Sequence, residues 1–434
     1  MSTSSEFIRQ IRERYLKDTT TEKVLERFRP RSVDVNPLQL TLPSNKDIAT
    51  GGAPVLRQSL ESQGLALPLV TGRLAPSQDA ATYARNIENF VGLISMPVGL
   101  AGPLRVNGLS ASGDFIIPLA TTEAALVASF HRGCKAITLS GGVAAACLVE
   151  KIGRAPIFVF ADMPAAIAFC AWLVTQEEKI REVAESTSRH AKLLDFNISL
   201  NGQDVVLFLD FSTGDASGQN MVTIAADAVC HFLAANTPVA MRRWYIESNM
   251  SGDKKATALS FHNTRGKRVV AEVRIPGKIC QDVLKTTPKE IYEAWKISMV
   301  SSLQSGAIGS QSHFANGLTA LFIATGQDAA CISEASVGIT EYALEDDGSL
   351  MANVCLPNLV VGTVGGGTSL PTQRECLEFM ECYGAGKAAK FAEICAGLVV
   401  AGELSITAAI AAGHFSRAHQ AMARGPESVA GKKE

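Results

Sequence analysis

Charge of one sign is the first thing this 434-residue sequence lacks: Lys plus Arg total 40 and Asp plus Glu 42. With no block of like charge either, composition gives no electrostatic footprint for a nucleic-acid partner. Nucleotide fingerprints are missing as well. Neither GxGxxG nor GxxxxGK[ST] occurs, which disfavours a Rossmann or P-loop reading. The ten cysteines form no CxxC pair and stand at no zinc spacing with histidine. They read as buried, reduced thiols of a cytosolic protein, with no metal site. HExxH is absent, and His414 and His419, five apart, face different sides of a helix; each is either a satisfied histidine or a proton donor near neutral pH. The polar N-terminus MSTSSEFIRQIRERYLKD holds no apolar run of the secretory kind. The most apolar tract, 394–413, is interrupted by Glu403 and rich in Ala and Gly. A membrane span needs about 20 unbroken apolar residues, so this tract is expected to be core helix, and the protein soluble and cytoplasmic.

What is present points to a mixed α+β chain, long enough for two or three domains. Residues 5–29 are amphipathic and predict a helix ended by Pro30, within a small N-terminal helical region, 1–75. Residues 156–248 read strand, helix, strand, strand, helix, strand, with Asn201 and Gly202 as the hairpin signal. That order is ferredoxin-like. Apolar helical sequence on both sides makes it an insertion in a large, mostly helical domain formed by 76–155 and 249–434.

The large domain is organised around PLATTEAALVASFHRGCKAI, 118–137. Thr121 and Thr122 are helix-start residues, and Glu123 then heads an apolar helix. There the helix dipole favours its carboxylate and burial its neutral acid. It is either a first-turn cap or a proton donor with a tunable pKa. Arg132 and Lys135 share a helix face, to hold a phosphate or to meet solvent. GDASGQNMV, 214–222, suits backbone amides facing a ligand at a helix N-terminus, or an ordinary helix entry. Arg189, in SRH at 188–190, could pair with a phosphate if it folds beside that loop. Asp253, Lys254 and Lys255 form the sharpest charged cluster, either a solvated turn or an oxyanion stabiliser. Asp328 is one acid after a nearly uncharged stretch, hence paired or functional. GTVGGGTSLPT, 362–372, cradles a ligand or allows close packing.

Taken together these stretches resemble the 3-hydroxy-3-methylglutaryl-coenzyme A (HMG-CoA) reductases. The segments that carry the likeness are ENFVGLISMPVGLAGPL, PLATTEAALVASFHRGCKAI, STSRHAKL, GDASGQNMV, SNMSGDKKA, GQDAA, GTVGGGTSLPTQ and AGHFSRAH. They keep the family's order over 88–419, about three quarters of the chain. DKKATALSFHNTRGKRVVAE and the readable insert are closer to the eukaryotic and archaeal class, without the eukaryotic membrane anchor.

The resemblance implies four-electron reduction of HMG-CoA to mevalonate and free CoA with two NADPH and no metal. It implies Glu123, Lys254, Asp328 and His419 as the catalytic set. Arg154 and Lys296 would take the substrate carboxylate, with Asn249, Asp253, Lys255 and Asn316 nearby. Ser129, Arg132 and Lys135 fall in the CoA-contacting segment. Ser188, Arg189 and His190 fall in the NADP-binding segments, as do Asp215, Ala216, Ser217, Gly218, Gln219, Asn220 and Met221. Arg189 would be the partner of a 2′-phosphate. Family members build each site across two subunits, so a homodimer is the minimum expected, with a tetramer open. Three departures stand out: Glu247 where a small Ser is usual, His190 for a Phe, and Gly425 where animal enzymes carry a phosphorylatable Ser. Two alternatives remain beside a biosynthetic reductase. One is an NAD-preferring enzyme oxidising mevalonate, which Arg189 opposes. The other is an inactive binding homologue, which the intact catalytic four oppose.

Overall fold

The computed structural model describes residues 9–16, 19–31, 58, 60–70, 80–83 and 86–413. His414, His419 and Gly425 lie outside the described residues, as does much of the 1–75 region.

Two sheets share one strand. In the large sheet the order is β2 (Ser112–Ala120), β1 (Val98–Gly108), β3 (Val143–Arg154), β8 (Gly266–Ile275), β10 (Leu350–Leu359), β9 (Ile339–Leu344). Only the β1–β3 pair in it is parallel. β3 continues past this sheet, and its last residues, Ile152 to Arg154, pair with β6 (Asp204–Ser212) of the second. There β4 (Ile157–Val159), β5 (Lys192–Asn201), β6 and β7 (Arg243–Tyr245) run antiparallel in the order β7-β4-β6-β5. With α3 (Met163–Val174), α4 (Glu177–Ser186) and α5 (Gln219–Asn236) between the strands, this is the ferredoxin-like arrangement. The helical stretch expected after β4 is two helices rather than one, broken at Thr175 and Gln176.

Three local expectations are corrected. VAAACLVEKIGR, directly before the insert where helical sequence was expected to flank it, is strand β3; a fully buried strand and a buried helix share that apolar composition, and sheet pairing on both sides decides. The central helix α2 (Leu126–Leu139) starts later than the Thr121–Thr122 signal. Strand pairing carries β2 through Ala120, opposite Val98 of β1. Thr121 then turns the chain, its Oγ1 accepting from Glu123 N at 3.0 Å. Ala125, left-handed, enters the helix without a side-chain cap. In the N-terminal region, Thr20 caps α1 (Thr21–Phe28), so the 5–29 pattern is not one helix.

The core helix is α10 (Ala388–Ala411), packed on α2, on α6 (Pro288–Ser305), on α7 (Phe314–Thr325) and on the large sheet. Among the described residues it alone is long and apolar enough to cross a membrane, but 83% of its most apolar window is buried in the fold. Gly133 of α2 meets its backbone at Ala401, an approach any Cβ would block. Its two acids are buried and satisfied. Glu393 accepts from Ser110 N, Ala111 N and Cys147 N. Glu403 accepts from Ser312 N, His313 N and Thr340 Oγ1. Each carboxylate pins a loop to the core, and each orphaned amide would cost about 1–3 kcal/mol.

Candidate active site

The loop after β7 carries the charged cluster. Lys254 sits at φ 54°, in the left-handed region. Its Nζ is 2.8 Å from Asp328 Oδ2. Asp328 follows α7, whose C-cap is the left-handed Gly326, and caps the next turn by accepting from Ala330 N at 3.0 Å. Gln219, first residue of α5, donates to the same Asp328 oxygen at 3.0 Å, so the insert reaches into the cluster. The Asp328 hydrogen bond holds the Lys254 ammonium above the usual lysine range. Burial pushes Asp328 up, but hydrogen bonds from Lys254, Ala330 and Gln219 bring it below the usual carboxylate range. The pair is therefore ionised throughout the neutral range.

Behind it lies a chain of buried and half-buried ions. Arg154, at the end of β3, donates from Nε to Thr223 Oγ1 and holds Asp253 Oδ2 at 2.6 Å from Nη1. Glu247 is 3.8 Å from the same guanidinium and accepts from Asn249 N at 2.8 Å. Arg265 pairs with Asp253 and with Glu334 on α8 (Ile332–Ala335). Burial drives the Glu334 carboxyl up to about 7, against the pull of Arg265. Lys255 is exposed, its Nζ on Asp253 O.

Glu123 is elsewhere. It is exposed, outside the helix it was expected to head, and both its oxygens accept from Asn316 Nδ2, at 3.0 and 2.9 Å. The two line a cleft of about 670 Å3 with Ser129, Arg132 and His313. Arg132 donates to Ser405 Oγ and O on α10 at 3.0 and 2.6 Å, so it is anchored to the core at the cleft wall. Lys135 and Lys296 are exposed. His313 stacks on Phe130, and burial lowers its pKa to about 4, leaving it neutral.

Arg189 and His190 are exposed in an open cavity of about 690 Å3 with Ser188, whose Oγ accepts from His190 N. In the 214–222 loop Gly218 is left-handed and opens α5 with no side-chain cap, so no side chain there occupies the first-turn amides. Gly362 packs on Ala216 and Ser217, the close approach that the glycine-rich stretch permits. The Asp215 carboxylate accepts from Gly386 N and Ala388 N at 2.7 and 3.0 Å. Its oxygens therefore fasten the start of α10.

Of the expected catalytic set, Lys254 and Asp328 meet, Glu123 meets Asn316 instead, and His419 is outside the described residues. Arg265, Glu334 and His313 were missed. Glu334 carries the signal that marked Asp328, an acid in apolar sequence.

The family model for hydroxymethylglutaryl-coenzyme A reductase matches residues 66–424. The 3-hydroxy-3-methylglutaryl-coenzyme A reductase of Methanocaldococcus jannaschii is 45% identical over 345 residues, 78% of this chain and 85% of that protein. That of Pyrococcus abyssi is 40% identical over 412 residues, 93% of this chain and 99% of that protein. The fold is that of the class II enzyme from Streptococcus pneumoniae, solved bound to NADPH in open conformations, with a TM-score of 0.68 at 19% identity over 85% of this chain and 100% of that one. On the family match and the archaeal relatives, this chain belongs to the hydroxymethylglutaryl-coenzyme A reductase family.

Proposed function

We propose that this chain reduces HMG-CoA to mevalonate and free CoA, using two NADPH per turnover, in the cytoplasm. The observation that carries the reading is the Lys254–Asp328 pair, a fixed cation bridged by Gln219 to the uncapped start of α5. The residues suit the cofactor. Arg189 offers an exposed guanidinium for a 2′-phosphate and the α5 N-terminus offers amides for a pyrophosphate. We assign NADPH to 156–248 and HMG-CoA to 76–155 and 249–434, with 1–75 an N-terminal appendage.

NADPH, when bound, supplies the hydride for each reduction. Lys254 stabilises the alkoxide formed at the thioester carbonyl. Asp328 keeps Lys254 charged and in place. His419 protonates the CoA thiolate as the hemithioacetal collapses, and Glu123, held by Asn316, supplies the proton for the second reduction. Arg154 and Lys296 take the substrate carboxylate, with Asn249, Asp253 and Lys255 beside them. Ser129, Arg132 and Lys135 lie along the CoA arm. The site is completed by a second copy of the chain.

The test is stoichiometry: two nicotinamides oxidised per CoA thiol released. A ratio of one, or NADPH oxidation without thiol release, refutes the reading.

Glu247 makes a second test. Its carboxylate competes with a substrate carboxylate for Arg154. Glu247→Ser keeps an acceptor for Asn249 N while removing the charge. The KM for HMG-CoA is expected to fall about fivefold, the scale of one partly exposed ion pair, with the KM for NADPH unchanged. An unchanged KM for HMG-CoA places the carboxylate away from Arg154.

A further inference from the structure

Glu334 has no part in the chemistry assigned so far, yet it is fully buried beneath Lys254. Its Oε2 accepts from the backbone N–H of Lys254 and its Oε1 from Arg265 Nη1. Arg265, itself buried, extends Nη2 to Asp253 Oδ1 at 2.6 Å. A left-handed backbone is disfavoured for a non-glycine residue, so Lys254, at φ 54°, needs its conformation fixed from outside. Asp328 and Glu334 lie six apart on one turn-and-helix segment. That segment therefore grips Lys254 at two points, the amide by Glu334 and the ammonium by Asp328. A residue held at both ends cannot swing its charge away from the reacting carbonyl, and small misplacements there are expensive.

We propose that Glu334, with Arg265 as its counter-ion, is a positioning residue that fixes the backbone of Lys254 so that its ammonium stays on Asp328. The activity arm of the test rests on the reductase reading; the labelling arm does not. Full-length wild type, Glu334→Gln and Glu334→Ala are acetylated with acetic anhydride, and Lys254 is compared with Lys255 by mass spectrometry. The same proteins are assayed for mevaldehyde reduction by NADPH, which needs no thiolate protonation. In Glu334→Ala, Lys254 is expected to react at least about threefold faster relative to Lys255. Its kcat is expected to fall about 10²-fold, as for loss of an oxyanion donor, with the KM for NADPH within about twofold. Glu334→Gln retains an acceptor for the amide but not the charge opposite Arg265. It is expected to lose about tenfold in kcat and to label between the other two. It also carries the test should the alanine variant not fold.

Unchanged Lys254 labelling in the variant that folds overturns the proposal. So does kcat within about threefold of wild type while the wild type is active. A wild type with no turnover sinks the reductase reading, and the labelling arm still decides the role of Glu334.

Discussion

Replacing Lys254 by alanine is expected to lower kcat at least about 10³-fold for HMG-CoA and for mevaldehyde alike, leaving the Kd for NADPH within about twofold of wild type. Both reductions place negative charge on a carbonyl oxygen, and in the proposed mechanism one cation serves both. Removing a neutral oxyanion donor already costs about 10² to 10³, and an ammonium held on a carboxylate supplies more. Asp328 raises the pKa of Lys254, so no basic limb due to Lys254 is expected in kcat across the neutral range. Arginine at 254 will not rescue, because a planar fork does not put a compact charge at the same point. Cofactor binding is spared because Arg189 and the α5 amides belong to the insert, to which the lysine side chain is linked only indirectly, through Asp328 and Gln219. Kinetics on both substrates with NADPH titration by fluorescence check this. Retained thioester reduction would remove Lys254 from the role given to it.

The parts of this arrangement that sequence made legible are those with a local signature. Asp328 was visible as one acid in an uncharged run, and it proves to be paired. Asn201 and Gly202 marked a hairpin, and β5 and β6 pair through it. Where two structures share one signature, reading fails. VAAACLVEKIGR has the composition of a buried helix and becomes the strand joining both sheets. Thr121 and Thr122 look like caps, but β2 holds the chain extended to Ala120 and moves the helix start beyond Glu123. Glu123 thus gains Asn316 as a partner, a contact across 193 residues that no spacing rule foretells. Asp215 sits in a nucleotide-type loop, yet its oxygens are taken by the turn before α10. Motif membership says which loop faces a ligand, while burial and pairing decide which side chain does.

Coexpressed Glu123→Gln and Lys254→Ala chains, neither of which makes mevalonate alone, are expected to recover about a quarter of wild-type mevalonate formation. The reason is the length of α7. Asn316, holding Glu123, lies in its first turn, and Asp328, holding Lys254, lies past its last residue, Thr325. Along the axis Asn316 and Thr325 are about 14 Å apart, whereas groups acting on one carbonyl must approach within hydrogen-bond reach. One chain therefore presents the two halves of the proposed catalytic set at opposite ends of a helix. Exposed apolar side chains offer surface for a second copy to cover: Met96 in the cavity beside Glu123, Val91 and Ile94 just before it in sequence, and Ile297, Val300 and Leu303 along α6. The two-fold dimer proposed above would bring the Glu123 of one copy to the Lys254 of the other. A mixed dimer has one site carrying both substitutions and one carrying neither. Random pairing makes half the dimers mixed, so about a quarter of all sites are intact. If each site were built within one chain, every site would carry one substitution and mixing would restore nothing. The assay distinguishes a quarter from zero, and Glu123→Gln coexpressed with itself supplies the baseline.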